Sequence, residues 1–225
     1  MAILFSLIGS GALFLAAIFS HFVTIGKRGR SIALHFAAGV VFAAVSRELL
    51  PKVMQFHQPI DLSIGFAFGV IVMLLVGLMA KRLEKGSSMG MLTAVGVDLW
   101  IDGILIGVAF LAGRQSGILV AISLAFCALF LGLSVSASLK SKKASRSTRI
   151  GAPLILALLL PFGVFCGTSI LSILPEKFFI GTLAFGIAAL LYLVTEELLA
   201  EAHQVPETPR ITVMFFAGFL LVLLI

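Results

Sequence analysis

The stretch Val97-Asp98-Leu99-Trp100-Ile101-Asp102-Gly103 lies inside an apolar segment running from about Met89 to Ala112. A run of that length predicts a membrane-spanning helix. On a helix, residues four apart share a face, so Asp98 and Asp102 sit one turn apart on the same side. A carboxylate at bilayer depth costs roughly 2.5–3.5 kcal/mol even on the most lenient insertion scale. Two of them imply a partner, a wet cavity or a bound cation. The plainer alternative is an interhelical hydrogen-bonded pair with no transport role.

Outward from this stretch the chain repeats the pattern. Apolar segments run roughly Ala2–Ile25, Ser31–Leu50, Leu62–Ala80, Gly117–Leu139, Ile150–Ile173, Phe178–Thr195 and Pro209–Ile225. With Met89–Ala112 they make eight, each long enough or nearly so to cross about 30 Å of hydrocarbon. The last is the shortest and spans only if Thr208 and Pro209 begin its helix. No connection is long enough to hold a soluble domain. The expectation is all-α: one polytopic membrane bundle of eight transmembrane helices over residues 1–225.

Composition agrees. The 225 residues are 60% hydrophobic and 12% charged, with mean hydropathy +1.20, whereas soluble domains average about 25% charged. The runs do not alternate apolar and polar residues, which excludes a β-barrel. The 22 glycines suit close helix contacts, within the chain or in a homodimer. Met1-Ala2-Ile3-Leu4-Phe5 lacks the positive start of a signal peptide and reads as the head of an uncleaved first span. Cys127 and Cys166 lie within apolar segments and read as reduced, buried thiols.

The net charge of +6 is spread over short loops, the pattern of membrane insertion, and implies no nucleic-acid partner. Odd loops carry Lys27, Arg28, Arg30; Lys81, Arg82, Lys85; Lys140, Lys142, Lys143, Arg146, Arg149; and Arg210. Even loops hold Arg47, Lys52, Arg114 and Lys177. Twelve against four places the odd loops in the cytoplasm and both termini outside. The seventh loop also carries Glu196, Glu197, Glu201 and Glu207, and acidic residues count little for topology.

Few other polar groups lie at membrane depth. Cys127 is mid-span in the fifth segment and matters if that helix faces the aspartates. Two carboxylates and a thiolate suit a borderline-soft ion such as Zn²⁺; carboxylates alone suit Mn²⁺ or Mg²⁺. Ser134, Ser136 and Ser138 either pack helices or line a polar exit. Gly103 and Gly107 make a small-residue face beside the aspartates. Pro153 and Pro161, followed by Gly163 and Gly167, suggest an interrupted sixth helix. Glu197, Glu201 and His203 form either a solvated helix end or a cytoplasmic cation exit. Glu48, expected to pair with Arg47 or Lys52, stands at an outer entrance. His21, His35 and His57 are scattered, without ligand spacing. No nucleophile–base constellation points to an enzyme.

Three segments carry a family resemblance. Phe36-Ala37-Ala38-Gly39-Val40-Val41-Phe42-Ala43-Ala44 with Glu48-Leu49-Leu50-Pro51 resembles the second helix of the ZIP (Zrt/Irt-like) divalent-metal transporters. Asp98-Leu99-Trp100-Ile101-Asp102-Gly103 is similar to their fourth-helix His-Asn-x-x-Glu/Asp-Gly. Leu191-Tyr192 through Glu197-Leu198 and Glu201-Ala202-His203 resembles the end of their seventh helix. The chain departs from the pattern at Leu99, Ala128, Leu131 and Leu160, where the family has ligands, so the second of its two metals has none here. The resemblance implies one metal site, made of Asp98, Asp102 and Cys127, and a multi-pass protein of the plasma (inner) membrane.

The expected function is transport of a divalent cation of the zinc, iron and manganese class, the ion being substrate rather than cofactor. Two unmetallated aspartates so close share a proton, so metal entry expels one. The alternatives are a transporter of protons or another ion on the same scaffold, and a non-transporting regulatory or scaffold relative.

Overall fold

The computed structural model of the protein describes residues 1–20, 26–84, 88–142, 144–173, 175, 178–206 and 208–224. His21, Lys85, Lys143, Lys177 and Glu207, which enter the reading above, lie outside the described residues.

Among the described residues the chain forms eight helical rods and no strand. These are α1 (Ala2–Phe19), α2 (Lys27–Gln55), α3 (Pro59–Glu84), α4 (Ser88–Ala112), α5 (Arg114–Ser141), α6 (Arg146–Ile173), α7 (Phe179–Ala202) and α8 (Pro209–Leu224). The first seven are long and apolar enough to cross a membrane. The protein is an all-helical, multi-pass membrane protein on that ground. α8 has 16 residues, about 24 Å at the rise of an α-helix.

The outer surface fits hydrocarbon rather than water. Along α3, Ile60, Ile64, Phe68, Ile71, Leu75 and Met79 are all exposed. A contiguous apolar stripe of that kind on a soluble protein would drive association. By contrast α2, α4, α5 and α7 are more than half buried and form the centre of the bundle.

The rods pack most extensively as α1 with α5, α2 with α8, α3 with α7 and α4 with α6. Each pair closes over glycine. A Cβ on Gly103 would overlap the carbonyl of Leu160, and one on Gly163 would overlap that of Trp100. Gly39 and Gly218 join α2 to α8, Gly65 approaches the backbone of α7, and Gly132 that of α1. Without a hydrophobic force between helices in lipid, this intimacy of backbones carries the association. Gly103 and Gly107 thus form the close helix contact their spacing suggests.

The interruption expected in the sixth helix is not there. α6 runs without a break from Arg146 to Ile173, through both Pro153 and Pro161. Gly163 and Gly167 do not loosen it; they are the surface on which α4 lies. The irregularities fall elsewhere. Val45–Leu49 in α2 and Leu193–Leu199 in α7 are π-helical turns. Each inserts an extra residue into the helix and turns the following side chains to a new face. α4 and α5 are joined by Gly113 alone, at φ 142°, a conformation that a residue with a Cβ rarely adopts.

Candidate functional site: a carboxyl cluster below a polar cavity

α4 presents Asp98 and Asp102 toward the centre of the bundle, held there by the Gly103–Gly163 crossing behind them. Asp102 is 3% exposed and Asp98 is half-buried. Between them Leu99 is fully buried, while Trp100 is 37% exposed on the outer side of α4. The aspartates therefore share an inward face, as their spacing requires.

A third carboxyl joins them. The carboxyl of Glu197, within the π-turn of α7, comes up to that of Asp98 and lies in the electrostatic field of Asp102. Two carboxyl groups brought together share a hydrogen bond when one of them holds a proton. Cys127 on α5 is buried, 8% exposed, and sits in the field of Asp102, Asp98 and Glu197. Three helices thus bring four oxygen- or sulfur-bearing side chains to one region. Among the described residues, no three His, Cys, Asp or Glu side chains converge as a closed metal-binding group. The arrangement is a carboxyl cluster with a thiol beside it, not a preformed ligand cage.

On the odd-loop side of the cluster lies a cavity of about 380 Å³. Its wall includes Val95 and Leu131, each about one helical turn from Asp98 and Cys127 respectively. Farther out are Ser134 and Ser138 of α5, then Arg30, Lys142 and Glu201. The serine run divides by face. Ser134 and Ser138 line the cavity, while Ser136 is buried and accepts a hydrogen bond from Ser20 at 2.5 Å. Glu201 is paired with Arg30 across α7 and α2. Ser31 fixes the same end by donating to the carbonyl of Ala202 at 2.7 Å.

His203 is exposed, and its ring meets that of His35 edge-on, with centroids 5.1 Å apart. His35 is 3% exposed and its Nδ1 donates to the Ser31 carbonyl at 2.9 Å. His57 is exposed and bonds to the Gln55 carbonyl in its own turn.

Glu48 belongs to a separate cluster at the opposite end. Ser116, buried in the first turn of α5, donates to Glu48 Oε2 at 3.1 Å. Lys52 Nζ donates to Ser116 Oγ and to the Ala112 carbonyl, both at 2.5 Å. Arg47 lies 3.8 Å from Glu48 and donates to the Val222 carbonyl of α8 at 2.5 Å. The π-turn of α2 is thereby tied to the α4–α5 hairpin and to α8. Glu48 meets Arg47 directly and Lys52 through Ser116.

The sequence reads Glu197 as part of either a solvated helix end or a cytoplasmic exit; in the structure its carboxyl lies in the field of Asp98 and Asp102. No residue type marks a π-turn, so the rotation that brings it there has no signature in the chain. The only available signal is that Glu197 continues an apolar run, where a carboxyl is costly. His35 beside His203 was missed for a similar reason: the two are far apart in sequence. Leu99, Ala128 and Leu160 are buried at 0–1% exposure, and Leu131 faces the cavity.

Compared with protein-family models and with curated proteins, the chain finds no match among either.

Proposed function

We propose that the protein is a transporter of divalent cations of the zinc, iron and manganese class, related to the ZIP transporters. In this reading α8 completes an eight-helix bundle with both termini outside, in the plasma (inner) membrane. The observation that carries the proposal is that Asp98, Asp102 and Glu197 from two helices face one buried region, about one helical turn from Val95 in the wall of a cavity toward the odd loops. Buried carboxyls at membrane depth mark ion and proton pathways far more often than scaffolds.

The chemistry follows from the donor set. With no cation present, the Asp98–Glu197 hydrogen bond keeps one proton in the cluster. An entering divalent ion takes the carboxylate oxygens of Asp98 and Asp102, and the shared proton leaves. Cys127 supplies a sulfur donor once its own proton is lost, and that favours a borderline-soft ion over a hard one. Ser134 and Ser138 hydrate the ion's path between cluster and loop. The Arg30–Glu201 pair stands at its mouth, where the Glu201 carboxylate receives the ion as Arg30 swings away. Exchange of a proton for a cation makes transport pH-dependent, because ligands must be deprotonated to bind.

A second reading rests on one specific observation. A carboxyl–carboxyl approach without a converged ligand cage among the described residues also suits a carrier of protons alone. Titration of Mn²⁺, Zn²⁺ or Cd²⁺ into detergent-purified protein separates the two. The metal reading expects saturable binding with proton release, abolished in Asp98→Asn/Asp102→Asn. Folded wild type that binds none of the three ions leaves the proton reading.

A further inference from the structure

Beyond the Gly103–Gly163 crossing, toward Met89 and Ser147, a groove of about 700 Å³ opens between α4 and α6 on the outer surface of the bundle. Its walls are apolar along their length, with Val97 and Trp100 on one side and Ile155 and Phe162 on the other, all exposed. Its floor passes Gly151, where an added Cβ would meet nothing within 4 Å. The lining is polar at Thr93 on α4 and at Ser147 and Thr148 in the first turn of α6. The residues flanking these two on α6 are basic, though they do not line the groove: Arg146 is exposed, and the Nε of Arg149 is buried without a hydrogen-bond acceptor.

An apolar trough with one basic mouth is the complement of an anionic amphiphile. Because the trough opens on the surface that faces hydrocarbon, acyl chains are what it meets. A second copy of the chain is disfavoured by charge. A two-fold axis along the membrane normal would bring Arg146 and Arg149 of both copies to the same depth, like charge against like.

We infer that this groove binds an anionic glycerophospholipid, with one acyl chain between α4 and α6 and the phosphate at Arg146, Arg149 and Ser147. The leaflet is the one facing the basic odd loops, where anionic headgroups attract such residues. The chain rests on Val97 and Trp100, direct neighbours of Asp98 and Leu99 on α4, so the lipid is placed to bias the position of the carboxyl helix. The inference depends on the protein spanning a membrane and is independent of which ion the carboxyl cluster carries.

Trp100 lines the groove and is the chain's single tryptophan, which supplies the test. The full chain is reconstituted in phosphatidylcholine vesicles with small, equal fractions of chain-brominated phosphatidylglycerol or chain-brominated phosphatidylcholine. Quenching of Trp100 fluorescence is then measured. The expected result is half-quenching by phosphatidylglycerol at a fraction about fivefold lower. In Arg146→Gln/Arg149→Gln that preference should disappear while bulk quenching stays. Gly151→Phe, which fills open space, should lower quenching by both lipids. Equal quenching of the wild type by the two lipids would overturn the inference, as would a preference that survives loss of both arginines. Weak quenching by either lipid together with a cross-linkable dimer would assign the groove to a second copy.

Discussion

The carboxyl of Asp98 on α4 lies against the carboxyl of Glu197 on α7. Neither helix can present its group by chance. α4 is fixed by backbone contact at Gly103, and α7 reaches Asp98 through the π-turn at Leu193–Leu199. In the proposed transporter a proton shared by this pair couples two helices at the centre of the bundle. Replacing that proton by a cation changes the same contact, so occupancy and helix position are linked at this point.

Asp102 is buried, so taking its carboxyl out of water costs stability that function must justify. Asp102→Asn keeps shape and hydrogen-bonding capacity while removing the charge. The expected outcome is a thermal unfolding midpoint raised by the equivalent of about 1 kcal/mol or more, with cation binding lost. Unfolding in detergent, followed by circular dichroism, reads the first effect. A lowered midpoint would mean that the carboxylate holds the fold together.

The glycine crossings make a contrasting pair of substitutions. Gly103→Ala sets a methyl group against the Leu160 carbonyl, and Gly151→Ala sets one in open space. The first should destabilise by about 1–3 kcal/mol through forced separation of α4 and α6. The second should change stability little, or raise it slightly through helix propensity. Parallel thermal melts of the two variants check this.

Lys52 satisfies the last carbonyl of α4 and a serine in the first turn of α5 at once. Lys52→Met leaves the Ala112 carbonyl without that donor and removes one of the two cations near Glu48. A loss of about 1–3 kcal/mol is expected. Glu48→Gln in the same background should recover part of it, because the uncompensated charge goes too. A double-mutant cycle on unfolding free energies measures the coupling, and additivity of the two changes would contradict the linkage.

The serine run predicts an accessibility pattern. With Cys127→Ala and Cys166→Ala as background, Ser134→Cys and Ser138→Cys should react with a membrane-impermeant thiosulfonate added on the odd-loop side. Ser136→Cys, packed against Ser20, should react at least about tenfold more slowly, in line with control of thiol reactivity by exposure. Equal rates at all three positions would mean that the cavity does not reach this face of α5.

Much of this architecture was legible because its causes are local. Apolar runs long enough to span hydrocarbon mark seven of the helices, and the four-residue spacing of Asp98 and Asp102 sets them on one face. The Gly103/Gly107 spacing marks a contact. What escaped depends on three dimensions. A proline such as Pro161 reads as a break in one dimension, but the α6 helix continues through it, packed on α4. Glu197 reads as a solvated helix end or a cytoplasmic exit because nothing in Thr195-Glu196-Glu197 announces the extra residue of a π-turn. The division of Ser134, Ser136 and Ser138 between cavity and contact follows from which helices flank α5. That is decided by the pairing of α1 with α5, and spacing along the chain does not encode it.

Cation uptake into proteoliposomes tests the central claim most directly. Purified wild type and the single variants Asp98→Asn, Asp102→Asn and Glu197→Gln would be reconstituted side by side and offered Zn²⁺, Cd²⁺, Mn²⁺ and Fe²⁺, with a trapped pH indicator. The expected result is saturable uptake of at least one ion by wild type with a matching proton signal. Each variant should reduce uptake by about tenfold or more, the scale of one lost charged hydrogen-bond partner. Folded wild type that moves none of the four ions, or variants that transport as well as wild type, would contradict it.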